Sequence, residues 1–297
     1  MNLAQPIKMS ARSKNAALRL GVRAHDFGRL PADELAARIA AKGFSCVQLA
    51  LNKAIAGLNL SAGDLNPHLA RQIGGAFARH GVGVEVLGCY INPIHPDLPT
   101  RRKMLDFFKE HLRFARDFGC GIVALESGSV NADYSPHPMN HGEAAFCEMS
   151  ASIAELVVVA EQFGVIVGFE AVHYHTVSSA KKMRRVLDAI GSKSLRVVFD
   201  AANLLSPQNA GKQSRIIAEA LELLGADIAV VHAKDFVLEN GMMRTVPAGR
   251  GQLCFAPVWR FLRASNSHVG ILLEESGEQD APDCAKILIE QFQELYQ

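Results

Sequence analysis

The chain is predicted to be α/β, a single (β/α)8 TIM barrel, and three observations lead there. At 297 residues it is long for one ordinary domain but suits a closed barrel of this kind, which takes roughly 250. Short apolar runs alternate with amphipathic stretches of helical period, as βα units in series do. Eight such runs can be placed, which favours closure over an open doubly wound sheet. A dinucleotide-binding sheet would also need G-x-G-x-x-G after its first strand. Here Gly81-Val82-Gly83 precedes a strand instead, with no third glycine in register. The barrel is expected over residues 17–297, behind a polar tail at 1–16.

The elements follow in order. A first strand falls at 18–22 and leads into Arg23-Ala24-His25-Asp26. Pro31 opens a helix that runs to about Lys42 and stops at Gly43, proline suiting the first helical position and glycine the one just past the last. The second strand is 44–50. Asn66-Pro67 caps a helix ended by Gly81, and 82–90 is the third strand. The helix at 101–118 carries Leu105, Phe108, Leu112 and Ala115 on one stripe, a core-facing surface rather than a cofactor box, and Gly119 ends it. After the fourth strand, 120–125, Asn140 with Glu143 three places on has the spacing of a capping box and begins a helix that Gly164 closes. Strand five is 165–169, with a helix from about Ser179 to Gly191. Strand six is 195–199, with a helix ending near Gly225. Strand seven, 228–231, precedes a helix at 255–264. Strand eight is 269–273, and Asp280 caps a final amphipathic helix.

Composition narrows the function. With 49% hydrophobic and 21% charged residues the chain can bury a large core, so disorder is not expected. A net charge of +1 and no dense Lys/Arg run argue against a nucleic-acid partner. Residues 1–15 are polar and mildly basic without the apolar core of a signal peptide, and no apolar run approaches a membrane span, so a cytoplasmic protein without a membrane partner is expected. The six cysteines, Cys46, Cys89, Cys120, Cys147, Cys254 and Cys284, form no CxxC pair and fit a reduced compartment. Cys89 is read as an inert core thiol rather than a nucleophile, since no activating group is visible beside it.

The chemistry sits at four consecutive strand ends. The run Val197-Val198-Phe199 ends in Asp200, Val165 to Phe169 ends in Glu170, Ile228 to Val231 ends in His232, and Val269 to Leu273 ends in Glu274. Barrel active sites lie at the carboxyl ends of the strands, so these four groups converge on one face. Three carboxylates and one imidazole suit Mn²⁺, Co²⁺, Mg²⁺ or Zn²⁺ better than a thiolate-loving metal. The plainer alternative is four separate rim residues in salt bridges.

At these residues the chain resembles the xylose isomerase-like TIM barrel family, also called the sugar phosphate isomerase/epimerase superfamily. The resemblance covers most of the chain from about Leu18. It is carried by Gly168-Phe169-Glu170, Phe199-Asp200-Ala201-Ala202-Asn203-Leu204-Leu205, Val231-His232-Ala233-Lys234-Asp235, Ala248-Gly249-Arg250-Gly251 and Leu273-Glu274. The spacings of 30, 32 and 42 residues between positions 170, 200, 232 and 274 are like those of the epimerase branch. The resemblance implies a divalent cation held by Glu170, Asp200, His232 and Glu274, with Glu170 and Glu274 also acting as acid and base. A cation chelated by a carbonyl and its neighbouring hydroxyl acidifies the α-proton and stabilises the enediolate. One glutamate removes that proton, and the other returns it to the opposite face or to the adjacent carbon.

Supporting residues follow. Lys234, in H-x-K-D, either meets a developing oxyanion or substrate hydroxyl or forms a structural salt bridge. Arg250 follows strand seven, where barrels often bind phosphate, though its glycines also suit a plain turn. Glu126 ends strand four. His173 and His175 just past Glu170, and His95 after Asn92-Pro93, line the pocket or else face solvent from their loops. Asn203 stands where many family members have a histidine. Asparagine can bond a substrate hydroxyl but ligates metal poorly, which disfavours the trinuclear-zinc endonuclease (phosphodiesterase) branch. The expected activity is metal-dependent isomerisation or epimerisation of a sugar or sugar-like polyol, in a chain whose default assembly is a homodimer. The alternatives are an inosose-type dehydratase on the same scaffold and a metal-binding barrel without turnover.

Overall fold

A computed structural model describes residues 18–265 and 269–295; the expected tail at 1–16 lies outside them. Seven strands run in sequence: β1 (Leu20–Arg23), β2 (Cys46–Leu49), β3 (Gly83–Gly88), β4 (Ile122–Glu126), β5 (Ile166–Glu170), β6 (Leu195–Asp200) and β7 (Ile228–Ala233). A hairpin, β8 (Asp235–Glu239) and β9 (Met242–Val246), precedes β10 (Gly270–Leu273). Strands β1 to β7 and β10 are all parallel and close on themselves, β10 pairing with both β7 and β1. This is a single (β/α)8 barrel, and all eight expected strands belong to it.

The helices lie outside the barrel: α1 (Ala32–Ala41), α2 (Leu51–Ala54), α3 (Pro67–Arg79), α4 (Leu98–Phe114), α5 (Glu143–Phe163), α6 (Ala180–Ile190), α7 (Gln213–Leu224), α8 (Ala256–Ala264) and α9 (Ala281–Glu294). Local chemistry sets their ends. Asn66, Asp97 and Ser179 each accept a backbone N–H from three residues on, at 3.0, 2.9 and 3.3 Å, so α4 starts at Leu98 rather than near 101. Leu105, Phe108, Leu112 and Ala115 are buried as their spacing implies. The expected capping box at Asn140 does not form. Helix α5 starts at Glu143 with Gly142 as its cap, and Asn140 lies buried in the preceding turn. Its side chain instead joins two loops above the barrel, accepting from Val130 N at 2.9 Å and donating to the Tyr174 carbonyl at 2.9 Å. No disulfide forms among the described residues; Cys89 is buried, and burial with Glu110 nearby pushes its thiol well up, so it is inert. No described helix is long and apolar enough to cross a membrane.

The barrel interior positions the site. Cys46, Val86, Ala124, Val198, Val230 and Leu272 form an apolar layer of their own. Gly21 and Gly168 complete it without side chains: a Cβ at Gly21 would meet Cys46 Sγ at 2.6 Å, and one at Gly168 would meet Val198 Cγ2 at 2.9 Å. Strand side chains alternate faces, so the residues two further along point the same way. Those residues are Arg23, Gln48, Gly88, Glu126, Glu170, Asp200, His232 and Glu274. Register sets Arg23 opposite Gln48, Glu126 opposite Glu170 and Asp200 opposite His232, with a two-residue step between Glu170 and Asp200 and between His232 and Glu274.

Candidate metal centre and active site

One atom each of Glu170, Asp200 and His232 lies within 4.8 Å of the other two, and all three residues are buried. His232 Nδ1 stands 3.2 Å from Glu170 Oε2 and 3.3 Å from Glu274 Oε1, yet neither approach has hydrogen-bond geometry. Asp200 Oδ2 also lacks a hydrogen bond, although the Lys234 ammonium is 2.9 Å away. Buried polar atoms are seldom left so. Donor atoms sharing one cation at about 2.1 Å stand roughly 3.0–3.4 Å apart, the edge lengths of an octahedron or tetrahedron. The contacts at His232 Nδ1 have that length, so these side chains fit a divalent cation.

Each carboxylate is held by its far oxygen or its neighbours. Glu170 Oε1 accepts from Asn203 Nδ2 at 2.6 Å. Asp200 Oδ1 accepts from Ala202 N at 2.8 Å and Asn203 N at 3.1 Å, in the turn that ends β6. Glu274 Oε2 accepts from Lys234 Nζ at 3.0 Å and faces Arg23 Nη1 at 3.5 Å. Beyond it the chain turns through Glu275, whose φ of 55° is unusual for a residue with a side chain. Lys234 thus bridges Asp200 and Glu274 and is itself buried.

This packing sets the charges. Burial pushes the Glu274 carboxyl up, but Lys234, His232 and Arg23 together outweigh it and hold it well below the usual carboxylate range. Burial opposes the charge on Lys234 too, and Asp200, Glu274 and Glu170 overcome it, holding the ammonium well above its ordinary value. Asp200 moves up because burial outweighs Lys234. His232, desolvated but facing Glu274 and Glu170, is pushed up to about 9 without a cation. Glu126 is raised to about 7 by burial and then by Glu170.

The expected site residues divide clearly. Glu170, Asp200, His232, Glu274, Lys234 and Asn203 come together. Glu126 stands beside Glu170 with His175 Nδ1 at 3.5 Å. His173 flanks the site, its backbone N–H donating to the Asn203 carbonyl at 2.7 Å. His95 lies in the loop before α4, where its Nδ1 accepts from Asp97 N at 3.1 Å. Arg250 is on the rim, paired with Asp283 at 3.5 Å, and makes no contact with the cluster. Three site residues escaped the strand-end reading: Arg23, Gln48 and Tyr90. Arg23 binds Asp26 and Glu275 as well as facing Glu274. The signal that finds Arg23 and Gln48 is the period of two: each lies two residues past an interior Gly21 or Cys46.

Comparisons with known proteins agree with this architecture. No curated protein matches the chain in sequence. Among solved structures, a D-tagatose 3-epimerase-like protein superposes with a TM-score of 0.72 at 18% identity, over 94% of this chain and 98% of that one. A 3-keto-D-glucoside 4-epimerase from E. coli gives 0.68 at 17%, over 93% and 100%. An IOLI protein described with a bound zinc atom gives 0.71 at 14%, over 94% and 99%. These likenesses are of fold. In sequence, the xylose isomerase-like TIM barrel family matches residues 36–295, and the chain belongs to that family.

Proposed function

We propose that the protein is a divalent-metal-dependent isomerase or epimerase of a sugar or sugar-like polyol, acting by proton transfer at the carbon beside a carbonyl. The observation that carries this reading is the triad of Glu170, Asp200 and His232 at the barrel mouth, with His232 Nδ1 buried and unbonded among carboxylate oxygens. Two of the structures similar in fold are described as epimerase or epimerase-like, and a third holds zinc.

Glu170, Asp200 and His232 would hold the cation, with Glu274 as the fourth ligand through Oε1. When bound, the cation supplies Lewis-acid polarisation of a carbonyl and its neighbouring hydroxyl. The chain does the rest. Glu274, kept ionised by Lys234, His232 and Arg23, enters the reaction as a carboxylate and is one of the two groups through which the proton moves. Glu170, steadied at Oε1 by Asn203, is the partner acid or base on a different strand. The Lys234 ammonium offers a preorganised donor where negative charge develops on a substrate oxygen. Burial of all four groups keeps bulk water from the carbanion.

The test is to strip the protein with a chelator, resupply Mn²⁺, Co²⁺, Mg²⁺ or Zn²⁺, and follow ketoses, their phosphates and inososes by NMR in D₂O. Solvent deuterium at carbon without loss of water is expected. An olefinic or deoxy product would replace the isomerase reading with the dehydratase, and silence across the panel with every metal would remove the proposal.

A further inference from the structure

Gln48 is fully enclosed in the barrel mouth, and its carboxamide makes two contacts there. Its Oε1 stands 2.6 Å from His232 Nε2, and its Nε2 donates to the Tyr90 hydroxyl at 2.6 Å. A carbonyl oxygen only accepts, so in this arrangement the imidazole proton sits on Nε2. Nδ1, the nitrogen among Glu170, Glu274 and Asp200, is then the one that would give up its proton to a cation. The opposite tautomer would put a proton on Nδ1, which has no acceptor in line, and would give Nε2 an oxygen it could not bond.

Tyr90 in turn holds the far end of the carboxamide. Its ring is fixed from two sides, by the Lys53 ammonium 4.1 Å from the centroid and by His25 edge-on at 6.3 Å. Gly88 makes room for this pairing: a Cβ there would stand 3.3 Å from the Tyr90 ring and 3.4 Å from Gln48 Nε2. The hydroxyl accepts the Gln48 amide hydrogen at one end while the amide oxygen meets the imidazole at the other.

Resting on the metal-dependent reading above, we infer that Gln48, oriented by Tyr90, is a positioning residue that holds His232 as its Nε2–H tautomer and aims Nδ1 at the divalent cation. The partner of a metal-binding imidazole governs its orientation and basicity, and losing one costs roughly 10–100-fold in metal affinity. The inference therefore concerns metal affinity and ring chemistry, and neither readout requires a known substrate.

The experiment measures Zn²⁺ affinity by chelator competition on wild type, Gln48→Leu, Gln48→Glu and Tyr90→Phe, each checked for folding by thermal denaturation. Histidine-selective ¹⁵N spectra of the zinc-loaded proteins report which His232 nitrogen carries the proton. Gln48→Leu should weaken zinc about 10–100-fold and lose the single Nε2–H form. Gln48→Glu, which keeps an acceptor, should restore affinity to within a few-fold of wild type, and Tyr90→Phe should fall between. Wild-type affinity in a folded Gln48→Leu protein, or a His232 ring bound to zinc through Nε2, would overturn the inference while leaving the metal site intact. Failure of the wild type itself to bind zinc would overturn this inference and the functional reading together.

Discussion

Asn203 and Lys234 decide how the two glutamates are presented. Each bonds one carboxylate oxygen, Glu170 Oε1 or Glu274 Oε2, and leaves the other turned towards His232 Nδ1. Asn203 thus orients a carboxylate through a single neutral hydrogen bond, where many family members carry a histidine. Lys234 forms the salt bridges of its structural alternative, to Glu274 and Asp200, and these place its ammonium within the cluster. Glu170→Gln and Glu274→Gln should each lower kcat by about 10²–10⁴-fold, the usual worth of a positioned acid or base. The affected step is proton transfer, so deuterium incorporation at carbon should fall with kcat; either variant exchanging at the wild-type rate would remove that glutamate from the proton path. The carboxylates and His232 were legible in the sequence because each ends an apolar run with an ionisable group. Gln48 was not, since a neutral amide inside Cys46-Val47-Gln48-Leu49 carries no charge to mark it and its meaning depends on a partner 184 residues away.

At the level of elements, the barrel strands were readable from their apolar runs, while the β8–β9 hairpin was not assigned. Its signal was present. Asn240-Gly241 forms a two-residue turn between paired Glu239 and Met242, with φ of 51° and 76°, the positive values that an Asn-Gly hairpin turn favours. Asp235 anchors the hairpin's base directly after Lys234. Its buried carboxylate accepts from Phe236 N at 2.7 Å, Gly251 N at 2.9 Å and Leu253 N at 2.7 Å. Gly251 must be glycine here, because a Cβ would stand 2.2 Å from the Phe236 carbonyl oxygen. Asp235→Ala would orphan three backbone donors, at about 1–3 kcal/mol for each left unpaired. Hydrogen exchange over residues 235–253 should quicken by at least tenfold relative to the barrel strands. Unchanged protection there would mean that the hairpin holds its place without Asp235.

Across the whole molecule, buried neutral histidines make the fold sensitive to mild acid. His111 on α4 is the plainest case: it is enclosed, donates from Nδ1 to the Phe107 carbonyl at 2.9 Å, and is pulled down to about 4 by burial. The unfolded chain, with an ordinary histidine near 6.5, takes up a proton first. Stability is therefore fully present above about pH 6.5 and declines as pH falls towards 4, by on the order of 3 kcal/mol from this group. Urea midpoints at pH 7 and pH 4.5 should differ less in His111→Gln than in wild type; an equal acid loss in both would exonerate this side chain. The same enclosure explains what the sequence could and could not disclose. Strand number and closure follow from a repeating apolar pattern, and the candidate metal ligands from their chemistry at strand ends. Which loop side chains turn inward depends on packing above the barrel, and so Arg250 pairs with Asp283 on the rim instead of entering the cluster.

On the proposed function, Glu170, Asp200 and His232 gather around one divalent cation. Metal content after chelator stripping and reloading with Mn²⁺, measured on wild type, Asp200→Asn and His232→Ala, tests it most directly. About one ion per chain in wild type and less than a tenth of that in both variants is predicted if these side chains supply the ligands. Full occupancy in both variants, or none in the wild type, would contradict it.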